Sequence, residues 1–394
     1  MMLNKAGPIR SAVQVCVVIA FLCGSSVSSK GGEDKAIKKK RDVSDSAWSY
    51  LDLWDHTTLY SSSKKKNPYV QTVKIIGRYN GQYHYIDSNR GNDDGWENRR
   101  IRLGAQIDFL SSFKFKAMWN VQDPQNFEGP FLNDLDVFYI DWKVSKALSF
   151  RIGRQKSKVS QERATTSRAI LTFNRSLLVN QTTLNKTLGL TGTYKFNGKL
   201  WAQAGVFSDL LDDKFHSFEE SGSVGALIRL GYDLNKKTKM GLDYGYSNRK
   251  KGSREFKRYR HVISWNSTSK WDGYGLNTDV MFARGSGARN GDNMYGLMLM
   301  PWYDISKKLQ GVFRYQLVTS DSESGIFLQK RYEAFAVNDG GGRRGDLYNS
   351  FYAGLNYRLN KDKLKLMLGS EYSNMSGRDY YSGWTYWSGV RIYW

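Results

Sequence analysis

The amino-acid sequence predicts an all-β protein: a transmembrane antiparallel β-barrel of about 16 strands, with a long third external loop folded into the lumen. Three observations support this fold class. The 394-residue chain has a mean hydropathy of −0.57, although aromatic residues make up 14% of it. Apolar and polar residues alternate with period two along most of the chain, and short connections alternate with long ones. Membrane barrels have such a composition because only every second strand residue faces lipid.

The N-terminal region has a different pattern. An apolar stretch from Ala12 to Leu22 follows Lys5 and Arg10 and precedes small residues, which is typical of a secretory signal peptide cleaved near Ser28. An uncleaved anchor helix is the alternative. The segment Trp48–Tyr60 is a candidate short helix. We therefore predict a signal peptide over 1–28, a basic N-terminal lead-in over 29–68 and an outer-membrane β-barrel over 69–394.

Other membrane and redox classes fit poorly. After residue 30, no apolar run approaches the ~20 residues that a membrane-spanning helix needs. Both cysteines, Cys16 and Cys23, lie in the predicted signal peptide, so the mature chain has no thiol. This excludes a disulfide scaffold and a thiol nucleophile.

The strands are predicted from period-two alternation bounded by turn residues. In the first strand the alternation continues through Asn80-Gly81, a typical hairpin sequence, so we predict one long strand there. The facing of residues 133–143 is ambiguous. Strands are predicted near 74–87, 100–109, 113–121, 133–143, 147–155, 186–196, 199–208, 223–233, 238–248, 258–268, 272–284, 293–303, 309–319, 346–358, 363–374 and 384–394.

The lengths of the connections support a membrane barrel over a soluble sandwich. Sixteen strands that start and end on one side require eight external loops, predicted to be long, and seven short turns. Bacterial outer-membrane barrels have short periplasmic turns and longer external loops. The short turns are predicted near 110–112, 145–146, 197–198, 235–237, 269–271, 306–308 and 360–362.

The charge of the chain indicates an anionic partner. Lysine and arginine number 59 against 37 acidic residues, a formal net charge of +22. Nucleic acid, an anionic membrane surface and small anions all suit such a charge. The export signal and the lack of helix-turn-helix, zinc-finger or RNP patterns argue against nucleic acid. Outer-membrane lipid, including lipopolysaccharide, and small anions are the predicted partners.

The inward faces of the strands are predicted to be basic. A 16-stranded barrel leaves a water-filled lumen, so its inward residues decide what passes. The inward acids assigned by parity are Asp108, Asp243, Asp279 and Glu371, too few to pair every cation, which favours anion selectivity. The alternative is that these charges only pair across strands and hydrate the lumen. The predicted lumen-lining basic residues are Lys74, Arg78, Arg102, Lys114, Lys116, Arg151, Arg229, Arg314, Arg358, Lys365 and Arg391.

The third external loop, from Lys156 to Asn185, is the longest. Apolar residues such as Phe173, Leu177 and Val179 predict an ordered loop with a small core. Folded inward, it would narrow the lumen and place guanidinium groups beside passing anions; an outward lid is the alternative. Arginine suits oxyanions because its planar fork donates two hydrogen bonds. The predicted anion-pathway constriction consists of Lys156, Lys158, Arg163, Arg168 and Arg175.

Two further segments are basic or glycine-rich. The loop near 248–260 either attracts anions at the mouth or pairs with anionic outer-leaflet lipid. Gly340-Gly341-Gly342-Arg343-Arg344 lacks the Lys-Ser/Thr ending of a phosphate-binding loop, and we interpret it as a loop tip.

The sequence contains no identifiable catalytic or metal-binding set. Its four histidines form no nucleophile–base–acid arrangement, and no Cys/His cluster has metal-ligand spacing. We predict no enzymatic activity, no cofactor and no metal.

Two segments resemble the phosphate- and polyphosphate-selective (O/P-type) porin family. They are Arg99-Arg100-Ile101-Arg102-Leu103-Gly104 and Ile152-Gly153-Arg154-Gln155-Lys156, the second followed by Glu162, Thr165-Thr166-Ser167 and Phe173-Asn174-Arg175-Ser176-Leu177. The resemblance implies a 16-stranded, usually trimeric outer-membrane barrel. It also implies an anion-selective pore whose inward loops carry arginine and lysine, with Arg163, Arg168 and Arg175 at the constriction. Lys158-Val159 and Asn174 depart from the family pattern, where a proline and an acid are common.

The leading hypothesis is therefore passive diffusion of phosphate, polyphosphate or similar small anions across an outer membrane. A general porin whose basic wall only tunes selectivity is the second hypothesis. A structural or adhesive barrel, plugged by its loops, is the third. Ion conductance separates the third from the others, and discrimination of phosphate from chloride separates the first two.

Overall fold

A computed structural model describes the barrel and its inward loop. The predicted signal peptide and most of the lead-in lie outside the described residues, as do positions 249–258 of the second basic loop and Gly340–Arg343 of the glycine-rich segment. The structure describes residues 57–121, 131–184, 186–208, 224–248, 259–286, 293–321, 325–329, 331–336, 344–360 and 362–394.

Sixteen antiparallel strands form a closed barrel, as the sequence predicts. The last strand pairs with the first, from Gly383–Ser88 to Tyr393–Arg78, which closes the ring. The barrel strands are β2 (Val70–Ser88), β3 (Gly91–Phe109), β4 (Phe113–Val121), β5 (Leu132–Lys143), β6 (Leu148–Lys156), β7 (Lys186–Lys195), β8 (Leu200–Ser208), β9 (Val224–Asp233), β10 (Thr238–Ser247), β11 (Tyr259–Lys270), β12 (Tyr274–Ser286), β13 (Asn293–Asp304), β14 (Leu309–Ser320), β17 (Leu347–Asn360), β18 (Leu364–Ser376) and β19 (Tyr381–Tyr393).

Short elements lie outside this ring. Strand β1 (Thr58–Ser61) pairs with the start of β2, so the end of the predicted Trp48–Tyr60 helix is a strand, and the expectation of a helix is wrong there. Strands β15 (Ile326–Phe327) and β16 (Arg344–Gly345) pair with each other. Three short helices are α1 (Gln161–Ala164), α2 (Leu177–Thr182) and α3 (Glu333–Ala336). No helix of the described ranges is both long and apolar enough to cross a membrane.

The seven short turns lie between the predicted strand pairs, but two external connections are shorter than expected. Strands β2 and β3 continue well past the predicted boundary at residue 100, and only Asn89 and Arg90 join them. Residues 377–380 join β18 to β19. Extended hydrogen-bonded pairing, from Gln82–Glu97 to Ser88–Gly91, replaces the expected first loop.

Two β-bulges change which residues face the lumen. In β3, Arg99 falls between the register pairs Asn80–Arg100 and Gly81–Asn98. In β5, Asp136 falls between the pairs Met118–Val137 and Trp119–Leu135. A bulge opposes two residues to one and so breaks the alternation of faces. The ambiguous parity of residues 133–143 has this cause.

The third external loop (residues 157–185, hereafter loop 3) folds into the lumen. Its apolar side chains Phe173, Leu177, Leu178 and Val179 are fully buried inside the barrel. Phe173 stacks on Trp387 of β19 with 5.7 Å between ring centroids. Burying four such side chains stabilises the inward position by about 1.5–3 kcal/mol for each of them. The outward alternative is therefore excluded.

Candidate functional site

Loop 3 leans against one side of the barrel and leaves the other side open. We call strands β9–β19 the loop-bearing wall and strands β2–β7 the open wall. Backbone N–H groups of the loop donate to acids of the loop-bearing wall. Ser160 N lies 2.9 Å from Asp243 Oδ2, and the N–H groups of Gln161 and Glu162 each lie 3.2 Å from Asp279. These acids are thus used to position loop 3.

Cations of the loop-bearing wall donate to backbone carbonyls of loop 3. Lys365 Nζ lies 2.8 Å from Ile170 O, and Arg391 Nη2 lies 2.8 Å from Phe173 O. Arg314 Nη1 lies 2.7 Å from Asn174 O. All three side chains are at most 2% exposed. The structure therefore corrects the expectation that these three residues line the open lumen, because loop 3 covers them.

Arg314 is the centre of the largest of these contacts. Its Nη2 donates to both carboxylate oxygens of Glu371, at 2.9 and 3.1 Å, and its Nη1 lies 3.4 Å from Glu162 Oε1. Glu162 in turn accepts the N–H of Ser176 and, at 2.5 Å, its hydroxyl. Glu162, the single acid in the sequence of loop 3, therefore joins the two helical turns of the loop to the wall.

Arg229 and Arg358 also pair with acids of the barrel wall. Arg229 Nε lies 2.9 Å from Asp243 Oδ1, and this buried arginine sits over the ring of Trp201. Arg358 Nη1 lies 3.4 Å from Asp304 Oδ1 at the end nearest the short turns. Both residues face inward, as predicted. However, each is paired with an acid, and neither lines the open cavity described next.

A cavity of about 540 Å³ lies between loop 3 and the open wall, and we call it the central cavity. Its charged lining is almost entirely basic, with two acids, Asp134 and Asp136. The predicted residues Lys156, Lys158, Arg163 and Arg175 of the loop segment meet Arg78, Arg102, Lys116 and Arg151 of the wall here. The basic residues that the lumen prediction omitted are Arg100, Arg154 and Lys186.

The remaining predicted residues lie elsewhere. Arg168 is exposed and does not line the central cavity, so the structure does not bring it together with Arg163 and Arg175. Lys114 pairs with Asp108 at 3.6 Å in a second cavity of about 710 Å³ near the short turns, which we call the vestibule. Lys74, in the first third of β2, lies opposite Gln106 in the register.

The two acids of the central cavity neutralise part of its charge. Asp136 accepts from Arg102 Nη1 at 2.7 Å and also pairs with Lys186. Asp134 Oδ1 accepts from the amide of Asn120. The carboxylate of Asp136, at the β5 bulge, thus pairs with two cations. Most of the other lysines and arginines of this cavity form no ion pair with an acid among the described residues. Parity missed these acids because the bulge at Asp136 lies within their strand.

The loop cations are fixed by neutral acceptors. Lys156 Nζ donates to the carbonyls of Arg163 and Thr165 at 3.0 and 3.1 Å. Arg175 donates to the carbonyls of Glu162 and Thr165 at 3.0 and 2.8 Å. A carbonyl orients a guanidinium without cancelling its charge, so Arg175 remains a source of positive potential.

Burial and neighbouring charges act on Arg175. Burial and the nearby Arg99, Arg391 and Arg78 lower the pKa of its guanidinium to about 10, against the opposing effect of Glu162. Arg175 therefore stays charged at neutral pH although several cations surround it. The bulge at Arg99 contributes to this cluster because it brings two successive arginines, Arg99 and Arg100, to the lumen side.

Glycine at position 153 explains how Arg151 and Arg154 line the same cavity. Residues three apart on a regular strand face opposite sides, yet both line the central cavity. Gly153 has φ 124°, and a Cβ there would lie 2.2 Å from Phe138 O. Only glycine adopts this conformation without strain, and it breaks the alternation of faces.

Lys158 connects the two cavities. It lines both the central cavity and the vestibule, beside Arg151, whose guanidinium is paired with both carboxylate oxygens of Asp141. Burial, together with the nearby Arg151 and Arg229, lowers the pKa of the Lys158 amine to about 8. Because an amine is charged below its pKa, Lys158 is mostly charged at pH 7 and mostly neutral at pH 9.

Another external loop supports loop 3 from above. Gln329 Nε2 donates to Arg175 O at 3.1 Å, and Tyr332 OH donates to Glu97 Oε2 at 2.9 Å. Tyr332 also packs edge-on against Trp387. The seventh external connection, between β14 and β17, therefore holds Arg175 in place through its backbone. The sequence showed no sign of this contact.

Comparisons with known proteins agree with this architecture. The model of a family described as phosphate-selective porin O and P matches residues 73–251. Three outer-membrane structures share the fold. OmpF of Salmonella typhi, in complex with daunomycin, has a TM-score of 0.59 at 13% identity, covering 86% of this chain and 100% of its own. OmpT of Vibrio cholerae has a TM-score of 0.57 at 11% identity, covering 82% and 98%. The channel DcaP of Acinetobacter baumannii has a TM-score of 0.51 at 12% identity, covering 84% and 99%. No curated protein matches the chain.

Proposed function

We propose that this chain is an outer-membrane porin that carries small anions by passive diffusion through a water-filled, anion-selective pore, because residues 73–251 match the model of the phosphate-selective porin O and P family. Phosphate and short polyphosphate are the anions we propose. The central cavity is the observation that carries this proposal, since only two aspartates line it beside its many lysines and arginines. At ~8 Å in water each unit charge offers an anion ~0.5 kcal/mol, and several such charges add up in a narrow pore.

Unpaired donors in the central cavity favour a phosphate-like anion over a simple halide. Arg100 Nη1, Arg78 Nε and Arg154 Nε are buried N–H groups without a hydrogen-bond partner among the described residues. Guanidinium forks match the paired oxygens of phosphate. Several donors along one wall would pass an anion onward, and conduction requires release as well as binding.

A general anion-preferring porin is the second candidate, and one observation favours it. Arg163 and Arg175, which the resemblance places at the constriction, donate to backbone carbonyls of Leu184, Glu162 and Thr165. Donors used in this way are not available to a permeating oxyanion. In this case the charge alone would select anions, and phosphate would show no specific block.

We propose a homotrimer as the assembly, in contact with outer-membrane lipid including lipopolysaccharide. One OmpT structure of Vibrio cholerae is a trimer form, with a TM-score of 0.55 to this chain.

Single-channel recording in planar bilayers tests the proposed function. We expect reversal potentials in a chloride gradient to show anion selectivity, and chloride current to be blocked as phosphate or short polyphosphate is added. Selective chloride current without block would favour the general porin. The absence of any conductance would contradict both proposals and leave a plugged or adhesive barrel.

Lys158 predicts a pH dependence of this selectivity. Its pKa of about 8 means that its charge is present at pH 7 and lost by pH 9, so the anion-over-cation permeability ratio should fall by about two- to fivefold over this range, as expected for one charge near a pore. Lys158→Arg should remove this step because a guanidinium stays charged. A step of unchanged size in Lys158→Arg would assign the titration to another group.

A further inference from the structure

Three short turns of the barrel repeat one arrangement of residues. Each consists of an apolar residue, then Asn or Ser, and then a basic tip with at least one lysine. The turns are Phe196-Asn197-Gly198-Lys199, Leu234-Asn235-Lys236-Lys237 and Ile305-Ser306-Lys307-Lys308.

The polar second residue fixes the same geometry in all three turns. Asn197 Oδ1 accepts the N–H groups of Lys199 and Leu200 at 2.8 and 2.7 Å. Asn235 Oδ1 accepts those of Lys237 and Thr238, both at 2.8 Å. Ser306 Oγ accepts those of Lys308 and Leu309 at 3.3 and 3.1 Å. The backbone of each turn is thereby closed, and its lysine side chains project from an ordered tip.

The apolar first residue continues the lipid-facing row of its strand. Phe196 is 57% exposed and follows Tyr194; Leu234 is 48% exposed and follows Tyr232. Ile305 is 54% exposed and follows the exposed Tyr303. An aromatic residue at this position marks the level of the membrane interface. The lysines that follow within a few residues therefore lie at the level of the lipid headgroups, on the periplasmic side where short turns are found.

The tip lysines belong neither to the pore nor to any ion pair among the described residues. Lys146, in the related turn Val144-Ser145-Lys146-Ala147, lines the vestibule. We assign it to the proposed anion path and exclude it from the tip lysines. Lys199, Lys236, Lys237, Lys307 and Lys308 are exposed and line none of the cavities described above.

We propose that these three turns bind anionic phospholipid headgroups of the periplasmic leaflet. The turns are distributed from β7 to β14, about half of the barrel circumference, which fits a continuous lipid annulus better than one compact acidic protein. Lysine stems extend along the apolar surface and carry the amine to the phosphate level. Anionic headgroups attract such amines. This inference does not depend on which solute passes the pore.

Spin-labelled lipids in reconstituted bilayers test the proposal. The measurement is the ratio of motionally restricted phosphatidylglycerol to phosphatidylcholine around the protein. We expect the wild-type protein to prefer phosphatidylglycerol about fivefold, the preference that one lysine gives near an anionic surface. A variant with all five tip lysines replaced by glutamine should lose at least about half of this preference at low salt, whereas the matched five-arginine variant should keep it.

Unchanged chloride conductance in both variants verifies that each is folded, because none of the five lysines lies in the proposed pore. Equal association of the two labelled lipids with the wild-type protein would overturn the proposal and leave a soluble acidic partner for these turns. A phosphatidylglycerol preference that survives intact in the glutamine variant would also overturn it, because the lipid would then bind elsewhere.

Discussion

Replacing both Arg99 and Arg100 with glutamine is expected to lower the anion-over-cation permeability ratio about tenfold, the effect of ~1.4 kcal/mol from two charges in a poorly screened pore. The bulge in β3 presents both residues to the lumen side, and Arg100 lines the central cavity. Arg100 Nη1 is one of the unpaired buried donors, so phosphate block should weaken together with selectivity.

Arg168→Gln is the matched control for this pair. Arg168 is an arginine of loop 3, but it is exposed and lies outside the lining of the central cavity. Its loss should change the reversal potential much less than the loss of Arg100 alone. If Arg168→Gln has the larger effect, the anion path runs on the other side of loop 3, and our assignment of the pore to the open wall fails.

Replacing Arg314 with glutamine is expected to loosen loop 3 and raise single-channel conductance about twofold, because the narrowest cross-section of a pore limits its current. The substitution removes the ion pairs to Glu371 and Glu162 and the hydrogen bond to Asn174 O. Breaking a buried pair from one side costs ~3–5 kcal/mol because the remaining carboxylates stay buried without a counter-charge. The apolar packing of loop 3 is worth more than this by the values given above, so the loop stays in the lumen but loosens where Arg314 held it.

Arg358→Gln is the control for this substitution, since Arg358 is a lumen arginine whose partner Asp304 belongs to the barrel wall. Lys365→Met provides a second test should Arg314→Gln fail to fold. It removes the bond to Ile170 O without leaving an unpaired charge, and it should raise conductance in the same direction by a smaller amount. Unchanged conductance in the folded Arg314 and Lys365 variants would show that loop 3 is held by its apolar contacts alone.

The barrel could be predicted from the sequence because its strands obey one local rule. Apolar residues such as Ile75 and Ile152 face lipid at alternate positions, and this period survives wherever the strand is regular. The rule failed at Arg99 and Asp136, where a bulge inserts one residue. A bulge depends on the register between two strands, so neither strand alone reveals it.

The site was less predictable because it depends on contacts distant in the chain. The sequence indicated that Arg314, Lys365 and Arg391 face inward, and they do. Whether an inward cation meets water or a loop carbonyl is decided by where loop 3 rests, and no local pattern carries that information. Arg100 shows the opposite outcome. The sequence segment that contains it was recognised, but only the structure shows that its buried Nη1 has no hydrogen-bond partner among the described residues.

The tethers of loop 3 also have a consequence for the order of folding. Loop 3 precedes β7 in the chain, yet the acids and cations of the loop-bearing wall that hold it, from Asp243 to Arg391, come from β10 or later strands. Contacts of such large sequence separation form late, because a long chain segment must close first. A barrel that assembles its hairpins in chain order therefore carries loop 3 unseated until its final strands pair. The amides of Ser160 and Leu177 should then gain protection from hydrogen exchange after those of β3 and β4, so the pore narrows last.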